Sequence, residues 1–226
     1  MPTLSFETPH GPMAFAATRC LVAGWTGRDP AAVQHHIDEL AAIGVAPPSE
    51  TPLYYRVPAA LLTQAAEIEV LSAETGGEAE PVILDDGDRL WLTLGSDHTD
   101  RGLETTSVAH SKAVAAKPLA LTAWPLESVA DRLDSLRLIA VIDTGAGWTR
   151  YQDGTLAAML PLMQIVAQAP EARPEGLGQG TAMFCGTIPA LGGVRPTPRF
   201  RASLLDPATG AEIVLAYTAR TLPVVA

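Results

Sequence analysis

His36 and Glu39 are the first residues whose types and spacing suggest chemistry. They stand three apart in a segment whose apolar residues Val33, Ile37, Leu40 and Ala41 recur at helical spacing. At about 3.6 residues per turn, His36 falls at the edge of that apolar face, where it would be protected, and Glu39 shares the edge while His35 points away. A carboxylate so placed orients an imidazole and raises its basicity, as activation of water requires. The same spacing also describes a half-exposed histidine beside a surface glutamate. Glu78 and Glu80 come next. Alternate residues of a strand project from one face roughly 7 Å apart, so both carboxylates could reach one cation. With no Cys or His at ligand spacing beside them, that cation would be hard: Mg2+, Mn2+ or Ca2+ rather than zinc. The competing description is a solvated charged turn, Glu74-Thr75-Gly76-Gly77-Glu78. Gly95-Ser96-Asp97-His98-Thr99-Asp100-Arg101 then crowds two acids, a histidine and an arginine directly after an apolar run. Such clusters at strand ends build sites, or else cap and turn the chain. A nucleophilic Cys185 served by His98 or His110 has little support, because Cys185 sits in an apolar run without an activator. Gly176-Leu177-Gly178-Gln179-Gly180 lacks the strand-to-helix context of a dinucleotide site and reads as a loop.

The elements that must position these residues are mostly strands. Gly, Pro, Asp and Thr punctuate short β-branched runs, which predicts a β-rich α+β chain with few helices. The clearest helix is Pro30 to Ile43, with Asp29 as cap, Pro30 in the first helical position and Gly44 as the left-handed stop. Strands are predicted at Leu53 to Val57, Ile68 to Ser72, Glu80 to Leu84 and Arg89 to Leu94, the last two forming a hairpin around Gly87. A second helix is predicted from about Leu126 to Leu136, and a third after Thr155, shortened or kinked by Pro161. Near the end come a strand at Thr181 to Cys185, a Gly/Pro-rich loop, and a hairpin of Phe200 to Leu205 with Ile213 to Tyr217, turned by Asp206-Pro207-Ala208-Thr209-Gly210.

A chain of 226 residues that is 47% hydrophobic can bury a substantial core, and one domain over 1–226 is expected. A net charge of −10 argues against nucleic acid and anionic membrane as partners, since both are bound through clustered Lys and Arg. No window offers the roughly 18 apolar residues of a membrane span, and Met1 to Gly24 lacks the pattern of a secretory signal, so a cytoplasmic location is expected. Two cysteines, Cys20 and Cys185, are too few for a disulfide framework and read as buried thiols in a reducing compartment.

Taken in order, these pieces resemble the catalytic domain of the fumarylacetoacetate hydrolase superfamily, and within it a bacterial branch of unknown function. Gly27-Arg28-Asp29 followed by His36-Ile37-Asp38-Glu39 resembles the family's first loop and helix, and Pro52 to Pro58 its next strand. Glu78-Ala79-Glu80 resembles the metal-binding pair, and Ser96 to Arg101 the segment supplying a third carboxylate at Asp97. Ser111-Lys112 resembles the site lysine, Gln152-Asp153-Gly154-Thr155 a turn before a helix, and Phe184-Cys185-Gly186-Thr187-Ile188-Pro189 with Gly192-Gly193 the strand and loop at the substrate carboxylate. The fixed order of these short pieces, over about residues 20 to 220, carries the likeness. It departs in three places. A hairpin replaces a helix between Glu80 and Asp97, which leaves Asp100 as an alternative third ligand; Ser96 replaces an asparagine; and Ile188 interrupts Gly-Thr-Pro.

The resemblance implies a β-rich mixed sheet or β-roll with few flanking helices, a homodimer, and one divalent ion held by Glu78, Glu80 and Asp97. It implies an enzyme that cleaves a carbon–carbon bond in a small 2-oxo or 1,3-dioxo acid through an enolate, with Lys112 helping to stabilise the developing charge. His36, oriented by Glu39, would activate water or move a proton, and Arg101 and Thr187 would grip the substrate carboxylate. Decarboxylation or isomerisation on the same site, and a non-catalytic protein that kept the fold, are the competing outcomes.

Overall fold

The computed structural model describes residues 1–226 apart from 43, 171, 175, 224 and 226. Its centre is a six-stranded sheet in the order Trp124–Pro125, Leu90–Ser96, Ala79–Asp85, Thr181–Phe184, Arg19–Gly24 and Leu53–Val57. All neighbours run antiparallel except Thr181–Phe184 and Arg19–Gly24, which are parallel. Ala79–Asp85 is buried at every position, because both faces of this sheet are covered. Ile83 and Leu92 pack on one side, against Leu138, Phe200, Leu204 and Ile213 of a second sheet. Val82 and Leu84 pack on the other, against Leu4, Phe6 and Phe15 of the hairpin Thr3–Thr8 and Gly11–Ala16. Alternation along the strand therefore feeds two cores at once.

The second sheet has five strands in the order Trp148–Thr155, Arg137–Asp143, Arg199–Leu205, Glu212–Thr221 and Glu67–Val70. The alternating burial of Arg199–Leu205 and Glu212–Thr221 shows one face on the core and one toward solvent. The hairpin around Gly87, where φ is +96°, and the C-terminal hairpin both form as the sequence predicts. So does the first helix, Pro30–Ala42; the side chain of Asp29 accepts from Ala31 N, and Gly44 has a φ of +94°. Its predicted last residue, Ile43, lies outside the described residues.

Three predictions are corrected. Leu126 to Leu136 is not an α-helix but two 3-10 segments, Leu126–Ser128 and Ala130–Ser135, separated at Val129, and the second is interrupted again where Arg132 leaves helical backbone angles. Pro161 does not kink a helix. A 3-10 turn, Leu156–Ala158, comes first, and the short helix Leu162–Gln168 begins just after the proline, whose missing N–H is harmless there. Gln152-Asp153-Gly154-Thr155 is not a turn but the end of the strand Trp148–Thr155. Among the described residues no helix is long and apolar enough to cross a membrane.

Candidate active site

The ladder between Ala79–Asp85 and Leu90–Ser96 brings three acids to one face. Glu80 stands opposite Gly95 and Ala79 opposite Ser96; one pair further on, Asp97 N donates to Glu78 O at 3.0 Å. Opposed residues of an antiparallel pair share a face, as do residues two apart on one strand. Glu78, Glu80 and Asp97 are therefore cofacial. At Gly95 the same face is tightly filled, and a Cβ there would lie 2.5 Å from the Phe184 ring.

Each carboxylate meets a different partner. Glu78, half-buried, accepts from Arg101 Nη2 at 2.8 Å. Asp97 is fully buried; Lys112 Nζ donates to its Oδ2, and Lys117 Nζ lies 3.2 Å from its Oδ1. Burial alone would raise the Asp97 pKa, but the two ammonium groups outweigh it and bring it down to about 2. Glu80 is buried and accepts from Gly186 N at 2.8 Å. Burial, then the charge of Asp97, pushes its pKa well above the usual carboxylate range, with Lys112 only partly offsetting them. Lys112 is held charged: burial works against it, but Asp97, Glu78 and Glu80 all favour the ammonium. Its Nζ also lies 5.6 Å from the centre of the Tyr55 ring. Two carboxylates of one strand and a third from its neighbour thus lie around one cationic head, and carboxylate oxygens are the donors a Mg2+- or Mn2+-sized ion takes. The donor chemistry fits such an ion. Among the described residues, however, no group of three or more His, Cys, Asp and Glu side chains is set at ligand geometry, because Arg101, Lys112 and Gly186 hold these carboxylates instead.

The remaining predicted residues divide. Thr187, at the strand end after Gly186, donates to Ala79 O at 2.6 Å and accepts from Gln152 Nε2 at 2.6 Å, beside the acids. Arg101 is half-buried, with its fork on Glu78 and Glu104 and its Nε without a hydrogen-bond partner. Asp100 caps the turn Arg101–Glu104 by accepting from Leu103 N and also accepts from Ser72 Oγ. His36 is not in the protected place expected of it. Its side chain is 56% exposed and 3.7 Å from Glu39, which also lies 3.4 Å from His35. The reason is that only Ile37 of this helix is buried, so the edge of the apolar face is already in solvent. His36 stacks at 5.7 Å on Trp25, whose Nε1 donates to Tyr55 OH, and Tyr55 in turn faces Lys112. That chain of contacts is what links the helix to the acids.

Cys185 is buried and its thiol pKa is pushed up by burial, so it offers no thiolate. His98 is also buried, with Nδ1 2.9 Å from Tyr217 OH. Sequence reasoning missed Lys117 and Tyr151. Lys117 had a compositional signal, since only two of the chain's 15 basic residues are lysines and both reach Asp97. Tyr151 had none. The register of its strand slips between Ala140 and Val141, so that Tyr151 and Gln152, adjacent in sequence, both turn inward.

The architecture matches that of the fumarylacetoacetate hydrolase proteins. Within that fold, residues 23–217 match the family described as protein of unknown function DUF2848, and the chain belongs to it. A Burkholderia cenocepacia structure assigned as a fumarylpyruvate hydrolase aligns with a TM-score of 0.68 at 19% identity, over 99% of this chain and 97% of that one. A fumarylpyruvate hydrolase from Pseudomonas aeruginosa, solved with Mn2+ and pyruvate, gives 0.63 at 16% identity over 98% and 97%. A 2-keto-3-deoxyarabinonate dehydratase gives 0.66 at 14% identity over 94% and 78%. No curated protein matches the sequence.

Proposed function

We propose that this chain is a divalent-metal-dependent enzyme that cleaves a carbon–carbon bond in a small 2-oxo or 1,3-dioxo acid by hydrolysis. The observation that carries this reading is the cofacial set Glu78, Glu80 and Asp97, in which Glu80 is buried without a basic side chain bonded to it. These three residues would hold Mg2+ or Mn2+. Such an ion, when bound, draws negative charge from an enolising acid. The Mn2+ and pyruvate in the Pseudomonas aeruginosa structure support the pairing of ion and 2-oxo acid.

The side chains supply the rest. Lys112 presents an ammonium to the developing charge, and Arg101 holds Glu78 in place. Thr187, joined to Gln152 and Ala79 O, fixes the strand end at which a substrate carboxylate would lie. His36 with Glu39 would serve as the proton-moving pair from its helix.

One observation favours a second reading. His36 stands in solvent, joined to the acids only through Trp25 and Tyr55, so water activation is not assembled in this conformation. Elimination, decarboxylation or isomerisation needs no such water, and one relative of the same fold is a dehydratase. Incubation with a panel of 2-oxo acids and product analysis by NMR separates the two. Hydrolysis that disappears in His36→Ala supports the first reading; products without added water, at a rate His36→Ala leaves standing, support the second. If wild-type protein binds no Mn2+ by calorimetry, or Glu80→Gln binds it equally well, the metal-enzyme reading is lost. The same reading carries a homodimer in the cytoplasm, with no nucleic-acid or membrane partner.

A further inference from the structure

Two side chains near Glu78 carry donors that nothing takes up. Tyr151 is 0% exposed, and its hydroxyl completes no hydrogen bond. Arg101 spends Nη1 on Glu104 and Nη2 on Glu78 and leaves its buried Nε without an acceptor. Burial, then the charge of Glu78, pushes the Tyr151 pKa up to about 12, so the hydroxyl keeps its proton and remains a donor. Buried polar groups are nearly always satisfied, and two orphans in one place call for an explanation.

One stretch of chain covers both. A Cβ built on Gly76 would lie 2.7 Å from Arg195 O and 3.6 Å from Arg101 Nε, so the Arg195 backbone passes beside that nitrogen. The Arg195 guanidinium lies 5.0 Å from the centre of the Tyr151 ring. The stretch is anchored at its ends, where Leu191 N donates to Tyr151 O at 2.7 Å and Thr197 N to Thr75 O at 3.0 Å. Between these anchors it is braced largely by itself. Gly193 N donates to Ala190 O, and Arg195 Nη1 donates to Leu191 O at 2.7 Å and Gly193 O at 2.9 Å. Gly192 and Gly193 turn it with φ of +78° and +82°, and Leu191 and Val194 stand exposed on it. Arg195 alone joins this loop to the ring beneath.

Around the two donors, the guanidinium groups of Arg101 and Arg195 offset the carboxylates of Glu78 and Glu104, which leaves no surplus positive charge to favour a further anion. The acceptor that fits is an uncharged oxygen. We propose that the loop 191–196 is a gate, latched by Arg195 on Tyr151, and that Tyr151 O–H and Arg101 Nε behind it bind a carbonyl oxygen of the substrate. This rests on the reading of the site as one for 2-oxo acids. It adds that these residues select a second carbonyl, the mark of a 1,3-dioxo acid. Gln152, next to Tyr151 in its strand, donates to Thr187, where the substrate carboxylate would lie, so the two ends of one short acid fall to adjacent residues.

Two measurements on the full-length protein test the proposal. Nitration by tetranitromethane, read by peptide mass spectrometry, reports access to Tyr151. Arg195→Met is expected to speed it at least about fivefold, the upper figure for an exposed cation–π contact, because two hydrogen bonds go with that contact. Tyr217, buried and bonded to Ser96 and His98, should stay unreactive in both proteins. The second measurement compares 4-oxopentanoate, pentanoate and 2-oxopentanoate by calorimetry with Mg2+ present. The first two differ only by a carbonyl at C4, and neither has the paired carbonyls that cleavage needs. Wild type should prefer 4-oxopentanoate to pentanoate by about three- to tenfold, the worth of one neutral hydrogen bond, and Tyr151→Phe should lose most of that preference. That variant removes only an orphan hydroxyl, so its fold should not suffer. Unchanged nitration of Tyr151 in Arg195→Met, no preference in wild type, or a preference that Tyr151→Phe keeps would each overturn the proposal. If Tyr217 reacts in Arg195→Met as well, that variant has opened generally and the affinities decide. Wild type that binds 2-oxopentanoate no better than pentanoate removes the 2-oxo-acid reading and this proposal with it, whereas 2-oxopentanoate preferred and 4-oxopentanoate not removes the proposal alone.

Discussion

Two buried groups near Asp97 are pushed toward their neutral forms by their surroundings. Glu80, a carboxyl, is pushed toward its neutral form by burial and by Asp97. His98, a base, is also kept neutral: burial first, then the charges of Lys117 and Arg101, bring its pKa down to about 3 from an ordinary 6.5. The sign of the second effect is definite. Below about 6.5 the unfolded chain takes up a proton that the folded chain refuses, so stability is complete above that pH and falls as pH drops toward 3. Asp97 acts in the same sense only at lower pH, as its depressed group loses charge between 3.8 and about 2. Glu80, whose pKa is raised, acts in the opposite sense, so the urea midpoint of wild type is expected to fall relative to that of His98→Gln as pH drops from 6.5 to 4.5. Equal slopes for the two proteins would show that His98 is not the titrating group. At this scale type and spacing pointed to Glu78 and Glu80 and to the cluster that holds Asp97, and the resemblance alone pointed to Lys112. The sequence left Lys117 and Tyr151 unread, because the roles of both come from burial beside residues far away in the chain.

At the scale of elements, the site depends on a backbone turn at Gly186. Its φ is +90°, its N–H donates to Glu80, and a Cβ on it would lie 1.9 Å from Thr26 Oγ1. Gly186→Ala is expected to lose more than about 1 kcal/mol in chemical denaturation, since an alanine must both adopt a left-handed conformation and displace Thr26. Thr26→Ala in the same chain should restore only the part due to contact; full restoration would show that the backbone angle carries no cost. Elements with local signals were legible. Asp29, Pro30 and Gly44 bound the first helix, and Asp85 to Asp88 turn the hairpin that sets Glu80 opposite Gly95. Elements whose form depends on distant partners were not. Gln152 to Thr155 resembles a turn, yet pairing with Arg137–Asp143 holds it extended. Leu126 to Leu136 is predicted as a helix, but Val129 leaves helical angles and Arg132, whose Nε lies 3.0 Å from Asp206, does so again, which leaves only 3-10 turns.

For the molecule as a whole, an ion that enters only the folded site is a ligand for the native state and stabilises it by mass action. Mn2+ at 100 times its dissociation constant should add about 2.7 kcal/mol. For a chain of 226 residues that corresponds to a rise of roughly 5–10 °C in Tm. Calorimetric scans with Mn2+ and with excess chelator check this; the rise should vanish in Glu80→Gln, and a rise that persists there would place the ion elsewhere. The class of the fold was legible too. The short β-branched runs predicted a β-rich chain, and two mixed sheets with few helices are what forms. The order of strands was not legible, since nothing local in Thr181–Phe184 says that it lies between Ala79–Asp85 and Arg19–Gly24.

That parallel pairing of Thr181–Phe184 with Arg19–Gly24 joins segments from opposite ends of the chain at the middle of the central sheet. During synthesis on the ribosome, the early strand must wait, with one neighbour missing, until most of the polypeptide has emerged. Contacts this distant along the chain form slowly. The amide of Gly186 that steadies Glu80 arrives with the same late segment. A nascent chain stalled before that point has all three acids but no finished sheet on which to align them, so competence for chemistry is among the last properties this protein acquires as it is made.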